Sequence, residues 1–331
     1  MRILSRRDVE TLLDLDQLVE AVASAMIDLS EGRASLPPRV AATVEDQSGM
    51  LAAMPGYLPS ARVLASKLVT VFPNNPALGL HSHQAVILAF DPDTGTPLAL
   101  MDGTYITAVR TAAGSALATR LLGRPDASVL AIIGTGVQAR AHARAIPRVR
   151  VVSEVRVAGR DEAKAGALAE ELREELSVPV KAVSSYREAM GGADIVCGAT
   201  HSPEPVIRRE WLALGVHVNS VGVNAKGPEV DSATVSDAVV VVESRRSALA
   251  AFPAGATDLT WPIRDGLIAE DHIHAEIGEL LTGAKPGRTS SEQITLYKSV
   301  GVAVQDAAAA SLVLSAAREQ GVGIDVEVAE P

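Results

Sequence analysis

Apolar positions over residues 8–31 recur with a period near 3.6, at Val9, Leu12, Leu13, Leu18, Val22, Met26 and Leu29. That spacing predicts one amphipathic helix, with Pro37-Pro38 ending the region. Short apolar runs follow at 65–72, 85–90 and 97–101. The turn signal Asp91-Pro92-Asp93-Thr94-Gly95 joins the last two into a hairpin. Residues 107–122, rich in Ala and Leu, read as a helix closed by Gly123 and Pro125. After Asp126 the rhythm changes. Strands are expected at 128–133, 154–158, 178–183, 194–199, 216–221 and 238–242, with helices at 139–146, 163–176 and 186–190 among them. Such alternation implies a parallel, doubly wound sheet. A last helix is expected at 303–320, its first turn carrying Asp306.

At 331 residues the chain exceeds what one core usually serves, so two domains are expected. Hydrophobic residues make up 47% of it and aromatic ones only 3%, which suits helix-on-sheet packing and not a stacking surface for single-stranded nucleic acid. The net charge is -10, and no block of Lys and Arg offers a phosphate-neutralising face. No run approaches the ~18 apolar residues of a membrane helix. The start, Met1-Arg2-Ile3-Leu4-Ser5-Arg6-Arg7-Asp8, turns charged before a signal-peptide core develops. The lone Cys197, in an apolar run, reads as a packing residue. These features point to a cytoplasmic protein that binds neither nucleic acid nor membrane.

Gly134-Thr135-Gly136-Val137-Gln138-Ala139 fits G-x-G-x-x-[GA]. Alone the pattern is weak, because paired glycines are common in turns. Here a strand is expected before it and a helix after it, the setting in which it binds a dinucleotide. Gly134 permits the tight turn, Gly136 lets the backbone approach a pyrophosphate at the helix N-terminus, and Ala139 keeps helix and strand close. The second strand of such a domain normally ends on a carboxylate for the ribose. This one ends Val157-Ala158-Gly159-Arg160, with Asp161 one place on and within reach of a ribose. An arginine there favours the 2′-phosphate, hence NADP in preference to NAD. The chain therefore reads as an NAD(P)-dependent oxidoreductase.

With that domain placed, several stretches together resemble the ornithine cyclodeaminase/μ-crystallin family. They are Met54-Pro55-Gly56-Tyr57, Lys67-Leu68-Val69, Thr107-Ala108-Val109-Arg110-Thr111-Ala112-Ala113 and Gly134-Thr135-Gly136-Val137-Gln138. Further on come Ala193-Asp194-Ile195-Val196, Ala199-Thr200, Gly215-Val216-His217-Val218-Asn219-Ser220-Val221-Gly222 and Tyr297-Lys298-Ser299-Val300-Gly301. The likeness covers nearly the whole chain, in the family's order. It implies an α/β fold in which a Rossmann-type doubly wound parallel sheet domain, 121–299, is inserted in an α+β substrate-binding and dimerisation domain, 1–120 plus 300–331. It also implies a homodimer.

The resemblance places Arg39, Lys67, Arg110 and Val300 at the substrate. It places Ser82, Arg110, Thr111, Thr135, Val137, Gln138, Thr200, Val221, Gly222 and Ser299 at the cofactor, with Gly134, Gly136 and Arg160. An amino or imino acid brings a carboxylate that fixed cations must compensate once water is removed. Arg grips it with two parallel bonds, and Lys67 can also donate a proton if its pKa is depressed. Singly, each of these cations would read as a surface charge; only their joint fit to the family pattern argues otherwise. His81 and His83 flank Ser82, but neither Cys nor clustered carboxylates accompany them, so no metal is expected.

One departure bears on the reaction. After Val221-Gly222 the family's cyclodeaminases and alanine dehydrogenases carry an Asp that manages a proton. This sequence has Asn224, in a stretch one residue shorter before Glu229. An amide can orient an amine or water but cannot accept a proton. Cyclodeamination needs such a base, and losing one typically costs ~10²–10⁴-fold. Imine reduction does not, since Lys67 or water can supply its proton. With Lys67 and Asn224 at the chemistry, the expected function is NAD(P)H-dependent reduction of an imino acid, such as Δ1-pyrroline-2-carboxylate, Δ1-piperideine-2-carboxylate or an acyclic imine. The alternatives are ornithine cyclodeaminase with bound NAD+, and an alanine dehydrogenase-like enzyme or a non-enzymatic NADP-gated binder.

Overall fold

In the computed structural model, which describes residues 1–328, the chain opens with β1 (Arg2–Leu4), α1 (Arg6–Leu12) and α2 (Leu15–Ser30). Residues 8–31 thus form two helices instead of the one their period predicts. Asp14 interrupts them: its backbone is extended and its side chain accepts from Gln17 N, so it caps α2 and cannot continue α1. There follow β2 (Val40–Val44), β3 (Gly49–Leu58), β4 (Val63–Val71), β5 (His83–Phe90), β6 (Pro97–Asp102) and α3 (Gly103–Leu122). The alternating stretch comprises β7 (Val129–Ile133), α4 (Val137–Ala145), β8 (Glu154–Ala158), α5 (Glu162–Glu175), β9 (Val180–Ala182), α6 (Tyr186–Met190), β10 (Ile195–Gly198) and β11 (His217–Ser220). It continues as α7 (Ser232–Asp237), β12 (Val239–Val242), α8 (Arg245–Ala248), α9 (Thr257–Arg264), β13 (Ile273–Glu276), α10 (Ile277–Leu281) and β14 (Thr295–Lys298). The last elements are α11 (Ala303–Gln320) and β15 (Ile324–Asp325). The final three residues of the expected 300–331 segment lie outside the described residues.

Two compact units divide these elements, Met1–Arg110 with Gly301–Pro331, and Thr111–Val300. The family resemblance implies a break after residue 120, two residues before α3 ends at Leu122. The division instead falls within α3, between Arg110 and Thr111. A sequence marks where a helix ends, not the turn at which its neighbours change.

In the first unit seven strands lie in the order β15-β1-β6-β5-β4-β3-β2, antiparallel except for β1 with β6. The period of two puts Val63, Ala65 and Lys67 on one buried face of β4, and α11 packs over β3, β4 and β5. The first turns of α11 are buried all round, polar Gln305 and Asp306 included. Val40, Val44, Leu51, Leu64 and Val86 are exposed on the opposite face.

In the second unit eight parallel strands lie in the order β13-β12-β14-β11-β10-β7-β8-β9. The order reverses between β7 and β10, and ligands of such sheets bind beyond the carboxyl ends of the strands at that reversal. Its core is aliphatic, drawn from Ile133, Val196, Val218, Val240 and Leu296 among others. Cys197 is fully buried in this sheet, where desolvation pushes its thiol up to about 12, so it packs and does not react. Among the described residues no helix is long and apolar enough to cross a membrane.

Candidate active site

The buried face of β4 carries Lys67, only 2% exposed. Its Nζ lies 3.0 Å from Oδ1 and 2.9 Å from Oδ2 of Asp306 on α11. Arg110 Nε donates to the same Oδ1 at 3.0 Å, and its Nη1 donates to Gln305 Oε1 at 2.7 Å. Arg39, just ahead of β2, donates from Nη2 to the Gly301 carbonyl at 2.9 Å. Three cations far apart in sequence therefore converge on residues 301–306. Gly301 has φ +70, and a Cβ there would stand 2.6 Å from Arg110 Nη1, so glycine is required both by the backbone and by the guanidinium.

Burial pushes the Lys67 ammonium down to about 8; Asp306 opposes that shift, and Arg110 and Arg39 add to it. Lys67 and Arg110 share one carboxylate, so the pair holds more positive charge than Asp306 neutralises. That excess of positive charge can compensate a second carboxylate. Gln305 Nε2 is buried beside it without a hydrogen-bond partner among the described residues.

In the second unit β7 runs into Gly134, whose φ is +120 and whose Cβ would meet the Ala199 carbonyl at 2.6 Å. The loops after β7 and β10 touch at this point, and only glycine fits. Gly136 caps α4 and is exposed, and a Cβ there would meet no atom within 4 Å. Nothing in the protein's own packing requires that glycine. The open space lies against the free N–H groups of a helix N-terminus, where a pyrophosphate fits. Thr135 is fixed by Arg140 Nη1 on its carbonyl at 2.8 Å, and Ala139 is buried. Val137 is exposed, while Gln138 Oε1 is buried without a hydrogen-bond partner among the described residues. These residues fit a dinucleotide. At the end of β8 Arg160 is exposed. Asp161, which the sequence left within reach of a ribose, is occupied as the N-cap of α5, accepting from Lys164 N at 3.1 Å.

Beyond β10 and β11, Val221 N donates to the Gly198 carbonyl at 3.0 Å, and Thr200 and Gly222 are held from beneath by Glu229. Its Oε1 accepts from Thr200 N at 2.7 Å and Thr200 Oγ1 at 2.8 Å; its Oε2 accepts from Ser220 Oγ at 2.7 Å and Gly222 N at 2.9 Å. Lys298, fully buried, donates to Ser220 Oγ at 3.0 Å and the Gly222 carbonyl at 2.6 Å, and pairs with Asp258 at 2.8 Å. Glu243 holds Ser299 Oγ at 2.5 Å and Val300 N at 3.1 Å. Ser82 and Arg110 lie in the first unit, whereas Thr111, buried on α3, and the other cofactor candidates lie in the second. Val300 is the last residue of the second unit and precedes Gly301, whose carbonyl accepts from Arg39.

Asn224 Nδ2 donates to the His201 carbonyl at 2.9 Å and its Oδ1 accepts from Lys226 N at 2.8 Å, so the amide ties the loop after β11 to the loop after β10. Sequence reasoning missed Asp306, Gln305, Glu229, Glu243, Asp258 and Lys298. The one available signal was Gln305-Asp306, a polar pair interrupting an otherwise apolar, alanine-rich helix start.

The sequence pattern of the ornithine cyclodeaminase/mu-crystallin family matches residues 1–321. The structure of Thermococcus litoralis Δ1-pyrroline-2-carboxylate reductase in complex with NADH and L-proline is similar at TM-score 0.95 and 42% identity, over 98% of this chain and 100% of that one. The Δ1-pyrroline-2-carboxylate reductase of Bacillus cereus is 36% identical over 329 residues, 99% of this chain and 100% of that protein. Ketimine reductase mu-crystallin of Mus musculus is 37% identical over 300 residues, 89% and 90% of the two chains. Sequence pattern, fold and likeness along the full length agree that this chain belongs to the ornithine cyclodeaminase/mu-crystallin family.

Proposed function

We propose that the protein is an NAD(P)H-dependent reductase of imino acids, acting on the C=N bond of a cyclic ketimine such as Δ1-pyrroline-2-carboxylate or Δ1-piperideine-2-carboxylate, or of an acyclic imino acid. The observation that carries this reading is the buried Lys67–Arg110–Asp306 cluster, in a family whose similar members include Δ1-pyrroline-2-carboxylate and ketimine reductases.

When bound, the reduced nicotinamide supplies the hydride. Arg110 and Arg39 take the substrate carboxylate, the guanidinium fork matching its two oxygens. The Lys67 ammonium, with its pKa lowered to about 8, is charged at neutral pH and still acidic enough to act as a general acid. As the imine carbon gains a hydride, the nitrogen takes a proton from Lys67, which is then neutral and recovers one from solvent. Glu229 and Glu243 hold the loops that carry Thr200, Gly222 and Ser299. Asn224, an amide pinned to backbone, provides no base for cyclodeamination.

The same reading extends to a homodimer. Five apolar side chains, Val40, Val44, Leu51, Leu64 and Val86, lie exposed together on the sheet face opposite Lys67, and a patch of this kind marks an interaction surface. The test of function is nicotinamide absorbance over a panel of cyclic and acyclic imino acids with NADH and NADPH, and over ornithine with NAD+. Stoichiometric oxidation of the reduced cofactor by at least one imino acid is expected. Ornithine turnover to proline and ammonia at a matching or higher rate would refute the reading.

A further inference from the structure

Asp306 is a buried acid in an alanine-rich helix, and its oxygens are aimed at Lys67 and Arg110. The reaction just described gives it no part. We infer that Asp306 is a positioning residue that keeps Lys67 protonated at neutral pH and directs its ammonium, so that the alkaline limit of activity is set from α11. The inference rests on the reductase reading, and its test includes an arm that does not.

The charged groups facing Lys67 come from three elements. Asp306 stands on α11, Arg110 on α3, and Arg39 in the segment ahead of β2. Burial and both arginines disfavour the ammonium, and Asp306 alone among them favours it. Removing the carboxylate leaves every remaining influence pushing the same way, toward a neutral amine that has no proton to give. The geometry carries the other half of the claim. Lys67 Nζ sits nearly equidistant from both carboxylate oxygens, and Arg110 Nε takes one of them, so Asp306 fixes the two cations relative to each other. Near the N-terminal end of α11 the helix dipole favours a negative charge at this position. A bound substrate carboxylate would partly replace the lost charge. The effect should therefore be larger in kcat/KM, which reports the free enzyme, than in kcat.

The experiment compares pH profiles of the full chain, as wild type, Asp306→Asn and Asp306→Glu, with Δ1-pyrroline-2-carboxylate and NADH. In wild type the alkaline limb of kcat/KM is expected near pH 8. In Asp306→Asn it should move acid by about one to three units, with a smaller move in kcat. Asp306→Glu keeps the charge, so its limb should stay in place while kcat falls. A folded Asp306→Asn whose limb coincides with wild type would overturn the inference. If Asp306→Asn does not fold, a limb displaced by a unit or more in Asp306→Glu overturns it instead, and an undisplaced limb supports it. The second arm measures binding of pyrrole-2-carboxylate, which undergoes no reduction, across the same pH range. Binding by wild type should weaken above pH 8, and in Asp306→Asn at lower pH. A shift in binding without imine reduction by wild type supports the role of Asp306 and sinks the reductase reading. Reduction without any shift does the reverse.

Discussion

Glu229→Gln is the substitution whose consequence can be worked most fully from the structure. Glu229 is 3% exposed and accepts four hydrogen bonds, two from Thr200, one from Ser220 and one from Gly222. Glutamine has the same shape but replaces one oxygen with an NH2 group. At either end the nitrogen then faces a backbone N–H, of Thr200 or of Gly222, which can only donate. Ser220 Oγ already accepts from Lys298 and Thr200 Oγ1 from Ser202 N, so at either end reversing the hydroxyl toward a new donor is disfavoured. One buried backbone donor left unsatisfied costs about 1–3 kcal/mol. The bonds at the other end lose their ionic character, about 1 kcal/mol each. The total is roughly 3–5 kcal/mol, divided between global stability and the local order of the loops after β10 and β11. Urea unfolding should report a loss of about 3 kcal/mol, and nicotinamide fluorescence titration a cofactor Kd raised about tenfold, equivalent to ~1.4 kcal/mol. A variant within about 1 kcal/mol of wild type in urea and within about twofold in Kd would show that Glu229 does not hold these loops.

Three further outcomes are expected. Arg160→Asp should weaken NADPH binding and relatively favour NADH, because it puts a carboxylate where a 2′-phosphate would need a cation; a native preference for NADH of about tenfold or more, measured by titration, contradicts this. Gly301→Ala combines about 1–2 kcal/mol of left-handed backbone strain with a Cβ set against Arg110 Nη1. The KM for the imino acid should rise about tenfold while the cofactor Kd stays unchanged; movement of the Kd alone would locate the damage elsewhere. His142 and His217 are both buried, and burial lowers them to about 4 and about 3. The unfolded chain therefore binds more protons below its own histidine pKa of ~6.5, so stability is present above that pH and is lost as pH falls from it toward 4. At ~1.4 kcal/mol per unit for each histidine, unfolding free energy should drop by about 4 kcal/mol between pH 7.5 and 5. Urea titrations with equal midpoints at the two values would exclude that linkage.

The elements legible in the sequence are those built by local rules. Gly134–Ala139 between a strand and a helix, the β5–β6 hairpin and the final helix all rest on residues within a few places of one another. The split of the first helix at Asp14 was missed because the apolar period runs through a capping residue without a break. Strands β2 and β3 were missed because β2 is exposed along its whole length and β3 contains Gly49, Pro55 and Gly56, so neither shows the usual pattern. At the site, residue types alone established that position 224 holds no carboxylate, and family likeness alone singled out Arg39, Lys67 and Arg110. What Asn224 does with its amide, and which acids serve the cations, only the tertiary structure decided. Asp306 meets Lys67 across 239 positions of chain, and Lys298 meets Ser220 across 78. A buried charge acquires its role from whatever the fold brings within about 3 Å of it, and strand order and helix docking set that distance, which no local spacing of residues encodes.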